Sequence, residues 1–316
     1  MSEANNLVKV QQLVSIAKEN PKDIEFIRDH LTLNNRQTFN QILKENELTI
    51  KRPRQAKPSK MIKPMMITVM NEPRLAAELS VALAKGNKNK MVAILDADRF
   101  SPKLNVFLNA KSYIKSVYTH LDFQRTTGLN LLIDATQKHV LTQKYAQHLS
   151  LRVSGYRNIH YFSGSYMLED YEYYKLEDYK KIIHFLRNTY DLLIIHTNDF
   201  IYDSFTVHSL MCSDVNLIAC DGLMHDVKDK LKYMNFLEKQ QRIDHEKNVF
   251  VIFDYDKKKH LDIRVLKHTL NQNLVSVPYM KQRSLNSSQY ALTRHMKKRV
   301  LYQYNHLIKY ISQVIS

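Results

Sequence analysis

The sequence predicts an α/β fold: a doubly wound, mostly parallel sheet behind a small all-α N-terminal unit. Two patterns carry that expectation. From Met65 onward, short continuous apolar runs alternate with longer stretches of helical period, the pattern of a parallel sheet buried on both faces. Residues 1–64 contain no such run and show three short helical patterns divided by turn signals. The expected organisation is a helical unit over 1–50, a basic linker over 51–64 and an α/β domain over 65–316.

In the first helix, Val10, Leu13, Val14 and Ala17 share one face, and Asn20-Pro21 ends it. A second runs from about Lys22 to His30 with Ile24 and Ile27 inward. A third, from about Asn35 to Lys44, sets Phe39, Ile42 and Leu43 against a polar face of Arg36, Gln37, Asn40, Gln41 and Lys44. Three helices with a four-residue turn before the last have helix-turn-helix proportions. The polar face carries the side-chain types that donate to base edges and phosphates. A plain docking segment with a solvated face has the same pattern, so both readings stand. The linker KRPRQAKPSKMIK (51–63) has six basic residues, two prolines and no acid; Lys51, Arg52 and Arg54 suit phosphate neutralisation.

The expected strands are MMITVM (65–70), MVAIL (91–95), LNLLI (129–133), NIHYF (158–162), LLII (192–195), VNLIA (215–219), NVFVIF (248–253) and NLVSV (273–277). LAAELSVALAK (75–85) and YDSFTVHSLMC (202–212) have the helical period that crossovers need. In the C-terminal segment 281–316, Leu292, Met296, Val300, Tyr304, Leu307 and Ile311 form a helical stripe. That segment also holds seven basic residues and no acid, which predicts a last helix packed on the sheet with a basic outer face.

Composition narrows the function classes. Lys and Arg exceed Asp and Glu, 47 to 31, for a net charge of +16, so polyanions are attracted. Only five glycines occur, Gly86, Gly128, Gly155, Gly164 and Gly222, and none are spaced for a GxxxxGK[ST] or GxGxxG cradle. Cys212 and Cys220 are too few for a disulfide framework, and the fourteen histidines form no metal-ligand pattern, so no metal and no cofactor is expected. The N-terminus lacks an apolar signal core, and the expected location is cytoplasmic.

The stretch MITVMNEPRLAAELSVALAKGNKNKMVAILDADR (66–99) resembles the opening of the ParA/MinD superfamily of deviant-Walker ATPases. YDLLIIHTNDFIYDSFTVHSLMCSDVNLIACDG (190–222) is similar to that family's second signature, and NVFVIFDYD (248–256) and VSVPYM (275–280) sit where it carries two further strands. The resemblance covers residue 65 to about 316 and implies a P-loop NTPase-like fold of the SIMIBI type and a homodimer. The departures are equally informative. Between the first strand and its helix the family has a Lys- and Gly-rich phosphate loop; here only Asn71, Glu72, Pro73 and Arg74 intervene. His196 stands where the resemblance places a magnesium-positioning Asp, and neutral imidazole is a poor Mg²⁺ ligand. Asp96 and Asp98 match the family's acidic pair but have no phosphate or metal to act on.

The function expected from these residues is therefore a non-catalytic ParA/MinD-like protein that binds DNA in plasmid or mobile-element maintenance, partition or transfer control. The alternative is a pseudo-ATPase scaffold of a secretion, pilus or conjugation apparatus that binds protein partners. The basic C-terminal helix is the only evident route to a membrane surface.

Overall fold

A computed structural model of the chain describes residues 64–108, 110–111, 128–153, 155–165, 172, 174–200, 202–270, 273–281, 283 and 298–315. The helix-turn-helix-like unit and the basic linker, with Arg36, Gln37, Asn40, Gln41, Lys44, Lys51, Arg52 and Arg54, lie outside the described residues.

Among the described residues nine strands form one sheet: β1 Met65–Met70, β2 Val92–Asp96, β3 Ala110–Lys111, β4 Leu151–Val153, β5 Tyr156–Phe162, β6 Leu192–Thr197, β7 Val215–Cys220, β8 Asn248–Tyr255 and β9 Leu274–Pro278. Their order is β3-β4-β5-β2-β6-β1-β7-β8-β9. The seven strands from β5 to β9 run parallel, and β3 and β4 extend one edge antiparallel. Ile67 of β1 pairs with Ile194 of β6 on one side and Val215 of β7 on the other. The chain winds from β1 outward through β2 and β5, then returns through β6 to β7, β8 and β9. A crevice therefore opens at the carboxyl end of β1, where the winding reverses.

Nine helices cover the sheet among the described residues: α1 Pro73–Gly86, α2 Leu104–Leu108, α3 Leu129–Gln137, α4 Gln143–Leu149, α5 Leu176–Thr189, α6 Ser204–Cys212, α7 Met224–Gln241, α8 Ile263–Leu270 and α9 Lys298–Ile315. Every residue of β1, β2, β6 and β7 is buried, which is why these strands read as mostly apolar rather than alternating runs. Met65, Ile67 and Val69 join one core layer with α1 and α9; Met66 joins the opposite layer with α3, α5 and α6. Ten consecutive residues of α1, Leu75–Ala84, are buried, so small alanines are needed on every side of it. At the amino edge, Asp191 and Asp214 accept hydrogen bonds from the backbone N–H of Met91 and Met66 at 2.8 Å each. The Asp of YDLLII and the Asp of SDV thus tie off neighbouring strands.

One expected strand is a helix. LNLLI (129–133) begins α3, since a short apolar run cannot by itself separate strand from helix. Leu129, Leu132, Ile133 and Thr136 are its buried side at helical spacing, and Gly128, with φ +78, turns the chain into it. Helix α1 starts at Pro73 rather than near Leu75, which shortens the β1–α1 connection to Asn71 and Glu72. The C-terminal stripe holds in α9, where Tyr304, Leu307 and Ile311 are buried; Leu292 and Met296 lie outside the described residues. Arg283, expected on a basic outer face, is instead 1% exposed.

Candidate functional site

The crevice at the reversal point is a cavity of about 400 Å³. The β1–α1 connection supplies Asn71 and Glu72, and the first turn of α1 supplies Arg74; the ends of β7 and β8 and the turns after them supply Cys220, Asp221, Phe253, Asp254, Asp256, Lys259 and His260, and the first turn of α7 supplies Asp226; Tyr279 closes it beyond β9. Asn71 and Asp254 both adopt left-handed backbone, φ 66 and 56, a conformation that Asn and Asp tolerate best after glycine. Each residue turns the chain sharply at a strand end, and both strand ends face the cavity.

Glu72 is the N-cap of α1. Its Oε1 accepts from the backbone N–H of Arg74 at 3.0 Å and from Arg74 Nε at 3.2 Å. A carboxylate of the chain itself thereby meets the partial positive charge of the helix N-terminus. Five carboxylates line the cavity, Glu72, Asp221, Asp226, Asp254 and Asp256, against two full cations, Arg74 and Lys259. Burial, together with the charge of Asp221, raises the pKa of Asp226, opposed by the hydrogen bond from Asp221 N–H.

Beneath the cavity lies a buried ion network that sequence reading missed. Arg283 donates from Nε to both carboxylate oxygens of Glu78 at 2.9 and 3.0 Å, and from Nη1 to Asp254 and to the Pro278 carbonyl. Tyr304 of α9 donates to Glu78 Oε2 at 2.8 Å. Burial raises the Glu78 pKa even though Arg283 and Tyr304 oppose it. The cluster pins α1, the β8–β9 edge and α9 to one another, and the only hint in the sequence is a charged Glu78 inside an otherwise apolar alanine-rich helix.

Asp96, Asp98 and His196 do not line this cavity. They form a second group at the carboxyl ends of β2 and β6. His196 Nδ1 donates to Asp96 Oδ1 at 2.9 Å, and Asp96 Oδ2 accepts from Leu104 N–H at 3.0 Å. Asp98 Oδ1 accepts from the N–H groups of Phe100 and Ser101 at 3.0 and 3.1 Å, so it caps its own loop. Arg99 pairs with Asp203, the N-cap of α6, and stacks its guanidinium 4.2 Å over Phe205. His196 Nε2 is buried and has no hydrogen-bond partner. Outside this group Phe100, Phe200 and Tyr202 stand exposed in edge-to-face contact, with centroids 5.8 and 5.7 Å apart. The structure therefore joins the junction residues Asn71, Glu72 and Arg74 to an acidic cavity, and leaves Pro73 in the first turn of α1. It gathers Asp96, Asp98 and His196 into a separate cluster in which both Asp residues are hydrogen-bonded and His196 Nε2 is left without a partner. Asp254 and Asp256 were visible in the sequence only as the acidic end of an apolar run.

The fold is that of ParA/MinD-family ATPases. A ParA family ATPase from Chlorobium tepidum TLS superposes with a TM-score of 0.63 at 14% identity, over 78% of this chain and 99% of that one. The cell division ATPase MinD of Pyrococcus furiosus gives 0.59 at 13% identity, over 79% and 99%. A putative plasmid partition protein of Borrelia burgdorferi B31, bound to AMPPNP, gives 0.56 at 16% identity, over 80% and 98%. No protein-family model matches the sequence, and no curated protein matches it either. Among the described residues no helix is long and apolar enough to cross a membrane.

Proposed function

We propose that this chain is a nucleotide-independent protein of the ParA/MinD fold that binds DNA, in plasmid or mobile-element maintenance, partition or transfer control. The observation that carries the first half is the Glu72 cap. A phosphate bound at the start of α1 needs free backbone N–H groups at a helix N-terminus and a loop that wraps it. Here the connection is Asn71 and Glu72 alone, and the Glu72 carboxylate already takes the Arg74 N–H. The residues present do not fit a nucleotide triphosphate: the cavity walls carry a formal excess of three negative charges, and His196 is committed to Asp96. Asn71, Glu72, Pro73, Arg74, Asp96, Asp98 and His196 are on this reading a nucleotide site turned to structural use.

The DNA half rests on the net charge of +16 and on the polar helix face Arg36, Gln37, Asn40, Gln41 and Lys44, followed by Lys51, Arg52 and Arg54. A homodimer is the assembly the fold likeness suggests. The test is DNA binding by the full-length protein across a salt titration, with and without MgATP. Replacing Lys51, Arg52 and Arg54 together by Gln is expected to lower the slope of log K against log salt by about 3. Replacing Arg36 and Gln37 by Ala is expected to remove sequence preference. Binding that requires MgATP, or that neither set of substitutions changes, would refute the proposal. The exposed ring cluster of Phe100, Phe200 and Tyr202 favours a second reading, a scaffold that docks protein partners of a transfer or secretion apparatus.

A further inference from the structure

We infer that the α/β unit has a DNA-contacting surface of its own: the amino edge of the sheet at β5, β2 and the end of α1, which holds the phosphate backbone of a duplex. The inference rests on the DNA-binding reading above and deepens it. Three elements meet at this edge. Helix α1 ends at Gly86, the connection to β2 runs from Asn87 to Met91, and the hairpin between β4 and β5 turns at Gly155. One side chain ties them. Asn158 Nδ2 donates to the carbonyls of Ala84, Asn87 and Lys90 at 3.2, 3.4 and 3.0 Å. Lys85, Lys88, Lys90 and Arg157 are thereby set side by side, because each is one of the bonded residues or its neighbour in the chain. Arg152 of β4 joins them, donating from Nη1 to the Arg157 carbonyl at 3.2 Å. Amides also answer the carbonyls at the end of α1: Asn87 donates from its backbone N–H and from Nδ2 to Leu83, at 3.0 Å each. The negative end of the helix dipole is blunted where an anion would approach.

Charge then selects the partner. Among the described residues Lys85, Lys88 and Arg157 are exposed and in no ion pair. The acids nearby are engaged already. Asp191 accepts from Lys90 Nζ at 3.1 Å and from Met91 N–H at 2.8 Å. Asp214 accepts from Arg187 at 2.6 Å and from Met66 N–H at 2.8 Å. Lys85, Lys88, Lys90, Arg152, Arg157 and Arg187, set against Asp191 and Asp214, leave a formal excess of four positive charges.

The opposite edge has the reverse sign, since five carboxylates and two full cations line the crevice there. A polyanion is drawn to the amino edge and turned away from the carboxyl edge, which gives the unit one orientation on DNA. The described chain also enters the sheet at this edge, through Pro64 and Met65, and the sequence ahead of them, KRPRQAKPSKMIK (51–63), is rich in cations and holds no acid. Cations spread along an edge match a row of phosphates, so the contact carries no sequence preference.

The test is fluorescence-anisotropy titration of the full-length protein with two duplex DNAs of unrelated sequence across a salt series. Lys85→Gln/Lys88→Gln/Arg157→Gln is expected to lower the slope of log K against log salt by about 3, equally on both duplexes. Lys257→Gln/Lys258→Gln/Lys267→Gln removes the same charge from exposed residues after β8 and on α8, and is expected to leave the slope unchanged. All six side chains are exposed, and matching thermal melts confirm that both variants fold. An unchanged slope in the amino-edge variant, or equal losses in the two variants, overturns the inference. If Lys51→Gln/Arg52→Gln/Arg54→Gln lowers the slope and the amino-edge variant does not, the inference falls and the DNA-binding reading stands. A wild type that binds neither duplex overturns both. Binding to phosphatidylglycerol vesicles that the amino-edge variant loses, with its DNA slope unchanged, overturns the inference and assigns this edge to an anionic membrane surface.

Discussion

Replacing Arg283 by Met tests whether the buried network holds the two halves of the sheet and its C-terminal helix together. Methionine fills much of the volume, so the perturbation removes charge more than packing. It leaves Glu78, 1% exposed, with the Tyr304 hydroxyl as its remaining donor, and Asp254 with Arg74 at 3.9 Å. Removing one partner of a buried pair costs about 3–5 kcal/mol. For a domain of this size that corresponds to a fall in Tm of roughly 6–20 °C. The loss has a pH signature. Burial already raises the Glu78 pKa above its ordinary 4.5, and deleting Arg283 removes the strongest opposing influence. A carboxyl with a folded pKa above its unfolded one binds more protons when folded, so the variant gains stability as pH falls through that raised pKa. The gap between wild type and variant should therefore narrow as pH falls from neutral toward the ordinary carboxyl value of 4.5, in urea titrations followed by circular dichroism. Glu78→Gln/Arg283→Met should recover part of the loss in a double-mutant cycle. A gap below about 1 kcal/mol, or one that does not narrow in acid, would refute the argument.

Other substitutions test single features. Gly128→Ala meets both a positive φ of 78 and the Ser163 carbonyl oxygen 2.2 Å from the new Cβ; a loss on the order of 3 kcal/mol in chemical denaturation is expected. Glu72→Ala removes the α1 cap and should cost about 1 kcal/mol; on the proposed nucleotide-independent reading neither wild type nor variant binds MgATP in calorimetry, and binding by the variant alone would show that Glu72 closes the site. Asp203→Asn removes the charge of the carboxylate paired with the buried Arg99 guanidinium and is expected to lower stability; a melt within a degree of wild type would argue against it. His160, hydrogen-bonded to the Tyr190 hydroxyl, has its pKa lowered to about 4 by burial and then by Arg152. The depressed folded value means that its contribution to stability is present above the ordinary 6.5 and is lost as pH falls through about 4. An NMR titration of the ring with a midpoint near 6.5 would contradict this.

Much of the fold was legible in the sequence because a strand buried on both faces is mostly apolar on both, with its few polar residues hydrogen-bonded or near its ends. Seven of the eight expected runs form strands, with continuous burial across β1, β2, β6 and β7. LNLLI misled because five apolar residues satisfy either period, and the deciding features were Gly128 before the run and the helical turn DATQ after it. The two-residue strand β3 and the three-residue strand β4 went unseen, being too short to carry an alternation and defined only by antiparallel partners.

The candidate site divides the same way. Sequence alone determined that no glycine or lysine lies between Met70 and Pro73 and that the run LLII is followed by His196, because residue identity needs no coordinates. Tertiary structure decided what those residues do instead. Glu72 is one of four residues between strand and helix in the sequence and a helix cap in the fold, since Pro73 starts α1 directly behind it. Arg283 lies 205 residues from Glu78, and only the packing of the β8–β9 edge against α1 brings the guanidinium to the carboxylate. Asp221, Asp254 and Asp256 come from β8 and the turns after β7 and β8, and Asp226 from the first turn of α7; they line one cavity because parallel strands deliver their carboxyl ends to the same edge. Charge type is written locally along the chain. Which charges face one another is set by strand order, which is a property of the whole sheet.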